Sequence, residues 1–155
     1  MITKTTIIAI RTLIQLGQDA ERVVRSPRAL AEDLAESPSY TAKVTGLLVK
    51  AGILRAEKGV RGGVYLAKAT SEVTLLDIVQ ACQGALVGDY CQPGCNHKFV
   101  CAYHAAAEEL HDAMVGVRSK WTLERLMKKP AAPKVEQLFG LACLMAGGQN
   151  SLEMR

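Results

Sequence analysis

Long apolar runs are missing from this chain of 155 residues. No stretch approaches the roughly 20 apolar residues that a membrane-spanning helix needs, so a membrane function is not expected. An export leader is also missing, because Arg11 interrupts the short apolar run over residues 1–10 and no small-residue cleavage site follows it. A cytoplasmic location is the corresponding expectation. Aromatic residues are scarce at 5%, and Leu, Ala, Val and Ile dominate an apolar content of 49%. That balance suits one core of short packed helices better than a sheet sandwich. Two catalytic signatures are absent: no nucleophile and base stand at a recognisable spacing, and no glycine loop of the phosphate-binding kind precedes a helix, so an enzyme is not expected. Cysteine, by contrast, is present five times. An odd number in a chain without an export signal points to reduced thiols serving packing, redox chemistry or metal, not to a disulfide framework.

The net charge of +4 is unevenly placed. Residues 1–70 hold 11 Lys and Arg against 6 Asp and Glu, whereas residues 71–155 hold 8 against 9. An N-terminal basic surplus suits a half that meets a polyanion, and it acquires meaning only with a motif behind it.

Such a motif is present. Apolar positions at 7, 10, 13, 14 and 16 predict a first helix over residues 2–16, closed by Gly17. Ser26-Pro27 supplies an N-cap and a first helical position, and Ser37-Pro38 repeats that signal a few residues later. A short helix must therefore stop near Glu36 and another begin at once, which is the helix-turn-helix pattern. In the third helix Tyr40, Val44, Leu47, Leu48 and Ala51 form an apolar stripe, and Gly52 closes it. The other face carries Ser39, Ala42, Lys43 and Gly46, with no carboxylate between Ser37 and Lys50. Small and basic side chains of this kind can enter a major groove of double-stranded DNA without charge repulsion. Beyond it, two β-prone runs over residues 53–57 and 64–68 flank Lys58-Gly59-Val60-Arg61-Gly62-Gly63, predicting a hairpin wing whose basic tip, Lys58 and Arg61, meets phosphates or a minor groove.

Thr74 then caps a fourth helix with Asp77 at its third position, and Cys82 falls on that helix's apolar face as a small core residue. Beyond residue 102 the spacing of Leu110, Met114, Val117 and Trp121 describes a helix seam that needs another helix to cover it. A homodimer would satisfy that need. The expected architecture is mostly α: a winged helix-turn-helix over 1–82, a cysteine-rich loop over 83–104, and a dimerisation helix with a C-terminal tail over 105–155. A short helix over 122–127 and an apolar helix containing Phe139 and Cys143 complete the pattern.

The loop concentrates Cys91-x3-Cys95-x5-Cys101-x2-His104 within 14 residues, three thiols and an imidazole in a glycine-rich segment that buries little. Metal is the natural reading. Zinc accepts three cysteines and a histidine, but it usually binds two tight ligand pairs and the five-residue gap fits that poorly. An iron-sulfur cluster tolerates looser spacing and an occasional histidine. Structural zinc and a metal-free thiol switch stay open beside it.

In combination, ITKTT at 2–6 with AIR at 9–11, SPSY at 37–40, LLVKAGIL at 47–54, KGVRGGVYLA at 58–67, TLLDIV at 74–79, the cysteine and histidine tail of the loop, and TLERL at 122–126 resemble the Rrf2 family of winged-helix regulators. The resemblance implies a homodimeric transcription regulator reading a partly palindromic operator, with Ser39, Tyr40, Ala42 and Lys43 on the recognition helix. It further implies that Cys91, Cys95, Cys101 and His104 correspond to the ligands of a 2Fe-2S cluster, rather than a 4Fe-4S one, whose state reports iron, redox potential or nitric oxide. Members that take a fourth ligand from an N-terminal aspartate have it where this chain has Ile7, which leaves His104 as the candidate.

Overall fold

A computed structural model describes residues 2–19, 23–59, 62–84 and 102–128. Hydroxyl side chains start most of its helices. Thr3 caps α1 (Lys4–Gln18) by accepting from the Thr6 amide, and Ser26 caps α2 (Pro27–Leu34) by accepting from Ala29. Ser37 precedes α3 (Pro38–Lys50) without a side-chain cap; its hydroxyl lies 3.0 Å from that of Ser39 instead. Both Ser-Pro pairs therefore mark the helix starts expected of them, with proline in the first turn, where its missing N–H costs nothing.

The turn between α2 and α3 is closed by Ala35, which adopts φ 53. Its amide bonds to Glu32 and that of Glu36 to Ala31, tying off two orphan carbonyls. The Arg11 guanidinium of α1 donates to the Leu34 carbonyl at 3.1 Å, so a third helix holds the same turn. At the end of α3, Gly52 at φ 71 and Ile53 bond back to Val49 and Leu48, and both Leu48 and Ile53 are buried.

The chain then forms β1 (Leu54–Glu57) and β2 (Gly63–Leu66), an antiparallel pair in which Leu54 faces Leu66 and Glu57 faces Gly63. This is the expected wing, with one addition. Val64 also exchanges both backbone hydrogen bonds with Arg25, at 2.9 and 3.0 Å, so the segment entering α2 pairs with the hairpin as a short third strand. Helix α4 (Leu75–Gln83) opens on a full capping box, Thr74 with Asp77. Helices α5 (Ala102–Lys120) and α6 (Leu123–Met127) follow.

Helix α1 lies at the centre, touching α2, α3, α4, α6 and β2. Ile8, Leu13, Leu30, Val44, Leu48, Ile53, Ile78 and Leu123 fill one core around it; each large aliphatic side chain so buried contributes roughly 1.5–3 kcal/mol. Two local expectations need correction. Gly17 does not end α1, which runs on to Gln18; a Cβ at Gly17 would sit 2.7 Å from the Met127 sulfur, so its smallness serves the approach of α6. The apolar stripe of α3 is narrower than its spacing suggested, since Ala51 is exposed and the buried face is completed by Thr41 and Thr45. The architecture is the mostly helical winged helix-turn-helix that was expected. Among the described residues no helix is long and apolar enough to cross a membrane.

Candidate nucleic-acid interface

Packing Val44 and Leu48 inward turns the opposite side of α3 outward, and Ser39, Ala42, Lys43, Gly46 and Lys50 are all exposed there. Lys43 and Lys50 have no ion-pair partner among the described residues, so their charges are available to an external anion. The sequence marks Lys50 only as a boundary. Its spacing of two turns from Lys43 puts it on the same face and adds it to the candidate contacts.

Tyr40 behaves differently from its neighbours. Its ring is half-buried against the core, its hydroxyl is 2.7 Å from that of Thr5 in α1, and the Lys4 ammonium lies 5.9 Å from the ring centroid. The tyrosine thus docks the start of α3 on α1, and its hydroxyl is engaged within the molecule.

At the wing Lys58 is exposed and without an ion partner among the described residues, while Arg61 lies outside them. Gly59 adopts φ 126 and accepts at its carbonyl from the Gly62 amide, which turns the chain tightly at the tip. Four other basic residues of the first half are paired with carboxylates. Arg25 bridges Asp19 and Asp33, Arg11 and Lys4 both reach Glu36, and Arg28 pairs with Glu32. The paired cations thus stand on α1, α2 and the segment before α2, whereas Arg55 and Lys68, like the lysines of α3 and the wing, have no ion-pair partner among the described residues.

Of the four proposed cluster ligands, His104 lies half-buried in the first turn of α5. Cys91, Cys95 and Cys101, together with His97, lie outside the described residues, as do Phe139 and Cys143. Among the described residues no three or more His, Cys, Asp and Glu side chains are grouped to hold a metal ion. Cys82 is packed against the core as expected. Burial pushes its thiol above the ordinary value of 9.0, against the opposing pull of a hydrogen bond with Thr6.

The family model for Rrf2, described as an iron-dependent transcriptional regulator, matches residues 2–129. The chain belongs to the Rrf2 family. It is a DNA-binding transcription regulator, and its relatives are regulators, not enzymes. Protein aau3 of Rhizobium meliloti is 28% identical over 144 residues, covering 90% of this chain and 92% of its own length. The transcriptional regulator IscR of Photorhabdus laumondii is 29% identical over 100 residues, 63% of this chain and 61% of its own. Among solved structures, CymR, the global cysteine regulator of B. subtilis, superposes with a TM-score of 0.66 at 20% identity, covering 82% of this chain and 95% of CymR.

Proposed function

We propose that this Rrf2 regulator works in the cytoplasm as a homodimer that binds a partly palindromic operator, with an affinity governed by a 2Fe-2S cluster on Cys91, Cys95, Cys101 and His104. The observation that carries the reading of the interface is the carboxylate-free outer face of α3, with Lys43 and Lys50 unpaired, beside a wing that presents Lys58. Lys43, Ser39 and Ala42 enter the major groove, while Lys58 and Arg61 contact phosphates or the minor groove. Dimer formation is supported by α5 and the residue that follows it, where Tyr103, Leu110, Val117 and Trp121 are 70, 60, 57 and 42% exposed in the single chain.

The cluster reading rests on the donor set. Three cysteines and a histidine fall within 14 residues, and His104 stands on the first helical turn after Cys101, so a helix fixes the end of the set. The likeness to IscR and the iron-dependent description of the family model support the same reading. When bound, the cluster supplies an iron centre sensitive to oxidation and to exchange of its ligands. Its gain or loss shifts operator affinity by about 1–3 kcal/mol, the usual range of coupling between two sites.

Anaerobic purification with visible spectra and iron and sulfide analysis tests this. Cys95→Ala and Cys101→Ala abolish the cluster, Cys82→Ala and Cys143→Ala leave it intact, and His104→Cys keeps it at a lower potential. Cys91→Ala decides whether the three-residue first gap belongs to the ligand set, with His97 as the alternative donor. Iron content unchanged in every cysteine variant would refute the cluster. A second reading, a metal-free cysteine switch on the same dimer, is favoured by the likeness to CymR of Staphylococcus aureus in its oxidized form. Protein that is colourless when isolated anaerobically, yet loses operator binding reversibly on oxidation, would establish it.

A further inference from the structure

Thr5 and Thr6 share the first turn of α1 and, as helix neighbours, project about 100° apart. Thr6 is fully buried, and its hydroxyl accepts from the Gln83 amide nitrogen at 2.7 Å. Gln83 is the last residue of α4, directly before Gly84 and the cysteine-rich segment. On its other side the same turn reaches the recognition helix, where the Thr5 hydroxyl lies 2.7 Å from that of Tyr40. Lys4 reinforces the junction, lying over the Tyr40 ring at 5.9 Å and pairing with Glu36 at 3.6 Å between α2 and α3. The turn is thus clamped between the end of α4 and the start of α3 by two short side-chain hydrogen bonds.

We propose that Thr5 and Thr6 are positioning residues for DNA recognition, a relay through which Gln83, at the threshold of the cysteine-rich segment, sets the orientation of α3 by way of Tyr40. The purpose of the relay, carrying the state of the cysteine segment to the DNA-reading face, rests on the sensing mechanism proposed above. Its geometry does not. Each hydrogen bond fixes its two groups to within a few tenths of an ångström, and Tyr40 is in the same turn of α3 as Ser39 and neighbours Ala42 and Lys43. A displacement of Gln83 therefore reaches the groove-facing side chains without passing through the wing.

A double-mutant cycle tests it, using a duplex selected by the wild-type protein from a randomised library and poly(dI-dC) as the non-specific probe. Tyr40→Phe keeps the ring and its contact with Lys4 but removes the hydroxyl, and Gln83→Met keeps length without the N–H. Each single change is expected to weaken selected-site binding about 5- to 10-fold, the worth of a hydrogen bond, while leaving poly(dI-dC) binding unchanged. The double variant is expected to lose no more than the weaker-binding single variant, because both break one chain. Thr6→Val repeats the break at the buried acceptor with nearly unchanged volume, should Gln83→Met fail to fold, and Thr5→Ser restores binding where Thr5→Val does not. Multiplicative losses in the double variant, or selected-site binding unaffected by either single change, would overturn the relay. The cycle is run on both iron-loaded and chelator-treated protein. Equal wild-type binding in the two states refutes cluster sensing, while the additivity of the losses still decides the relay.

Discussion

At the scale of single residues, two small side chains in the helix-turn-helix carry opposite predictions. Ala35 holds φ 53, where its Cβ crowds the neighbouring carbonyl at a cost of about 1–2 kcal/mol. Ala35→Gly removes that crowding, part of the gain being offset by the greater freedom of glycine in the unfolded chain. Urea unfolding should show a gain of roughly 0.5–1 kcal/mol; a loss would mean that the turn draws on the methyl group. Gly63 behaves in the reverse sense, since a Cβ there would lie 2.4 Å from the Arg25 carbonyl oxygen, a backbone atom that pairing with Val64 holds in place. Gly63→Ala is expected to cost about 2 kcal/mol, in the range of overpacked interiors, and a stability within error of wild type would disprove the third-strand pairing. The sequence placed Gly63 at a flexible wing tip. Its actual constraint comes from a segment far away in the chain, and no local pattern encodes an approach of that kind. The same reason hid the role of Gly17, whose neighbour is Met127.

Among the secondary-structure elements, legibility followed the range of the interaction that builds each one. Ser26-Pro27, Ser37-Pro38, Thr74 with Asp77, and Gly52 act within one helical turn, and every one of those boundaries was readable to within a residue or two. The buried face of α3 was read less well, because Thr41 and Thr45 are buried through contacts with other helices and threonine carries no apolar signature. On the exposed face of α3, the absence of carboxylates was plain in the sequence, whereas the internal engagement of the Tyr40 hydroxyl depended on Thr5, 35 positions away. Helix α5 retains the clearest unfilled requirement. Leu110→Glu with Val117→Glu places two charges per chain on its exposed seam, and sedimentation should then report a monomer where the wild type is expected to run as a dimer. Unfolding of the monomer itself should change by less than about 0.5 kcal/mol, since both positions face solvent within one chain. A dimer surviving both changes would move the interface elsewhere.

For the molecule as a whole, the division between paired and unpaired cations governs how it responds to salt. Lys4, Arg11, Arg25 and Arg28 are committed to carboxylates, while Lys43, Lys50 and Lys58 are not. Lys58→Ala with Arg61→Ala should weaken binding to all duplexes alike and flatten the dependence of log K on log salt by about 0.9 for each phosphate that the wing no longer neutralises. Lys43→Ala should instead alter which duplexes are preferred. An unchanged salt slope in the wing variant would remove the wing from the interface.

An isolated antiparallel bridge between Thr74 and Thr122 ties the start of α4 to the start of α6. Leu75 donates to the Trp121 carbonyl and Leu123 to that of Val73, both at 2.7 Å, so the chain that departs into α4 comes back beside its own starting point. The two ends of residues 75–121 are thus held together like a cassette's two terminals in one socket, while Ile78 of α4 stays part of the core. Closing a chain between ends so fixed depends only weakly on its length, because doubling a loop costs about 0.6 kcal/mol in closure entropy. The residues between α4 and α5 can therefore vary in number and spacing while the core around α1 keeps its register.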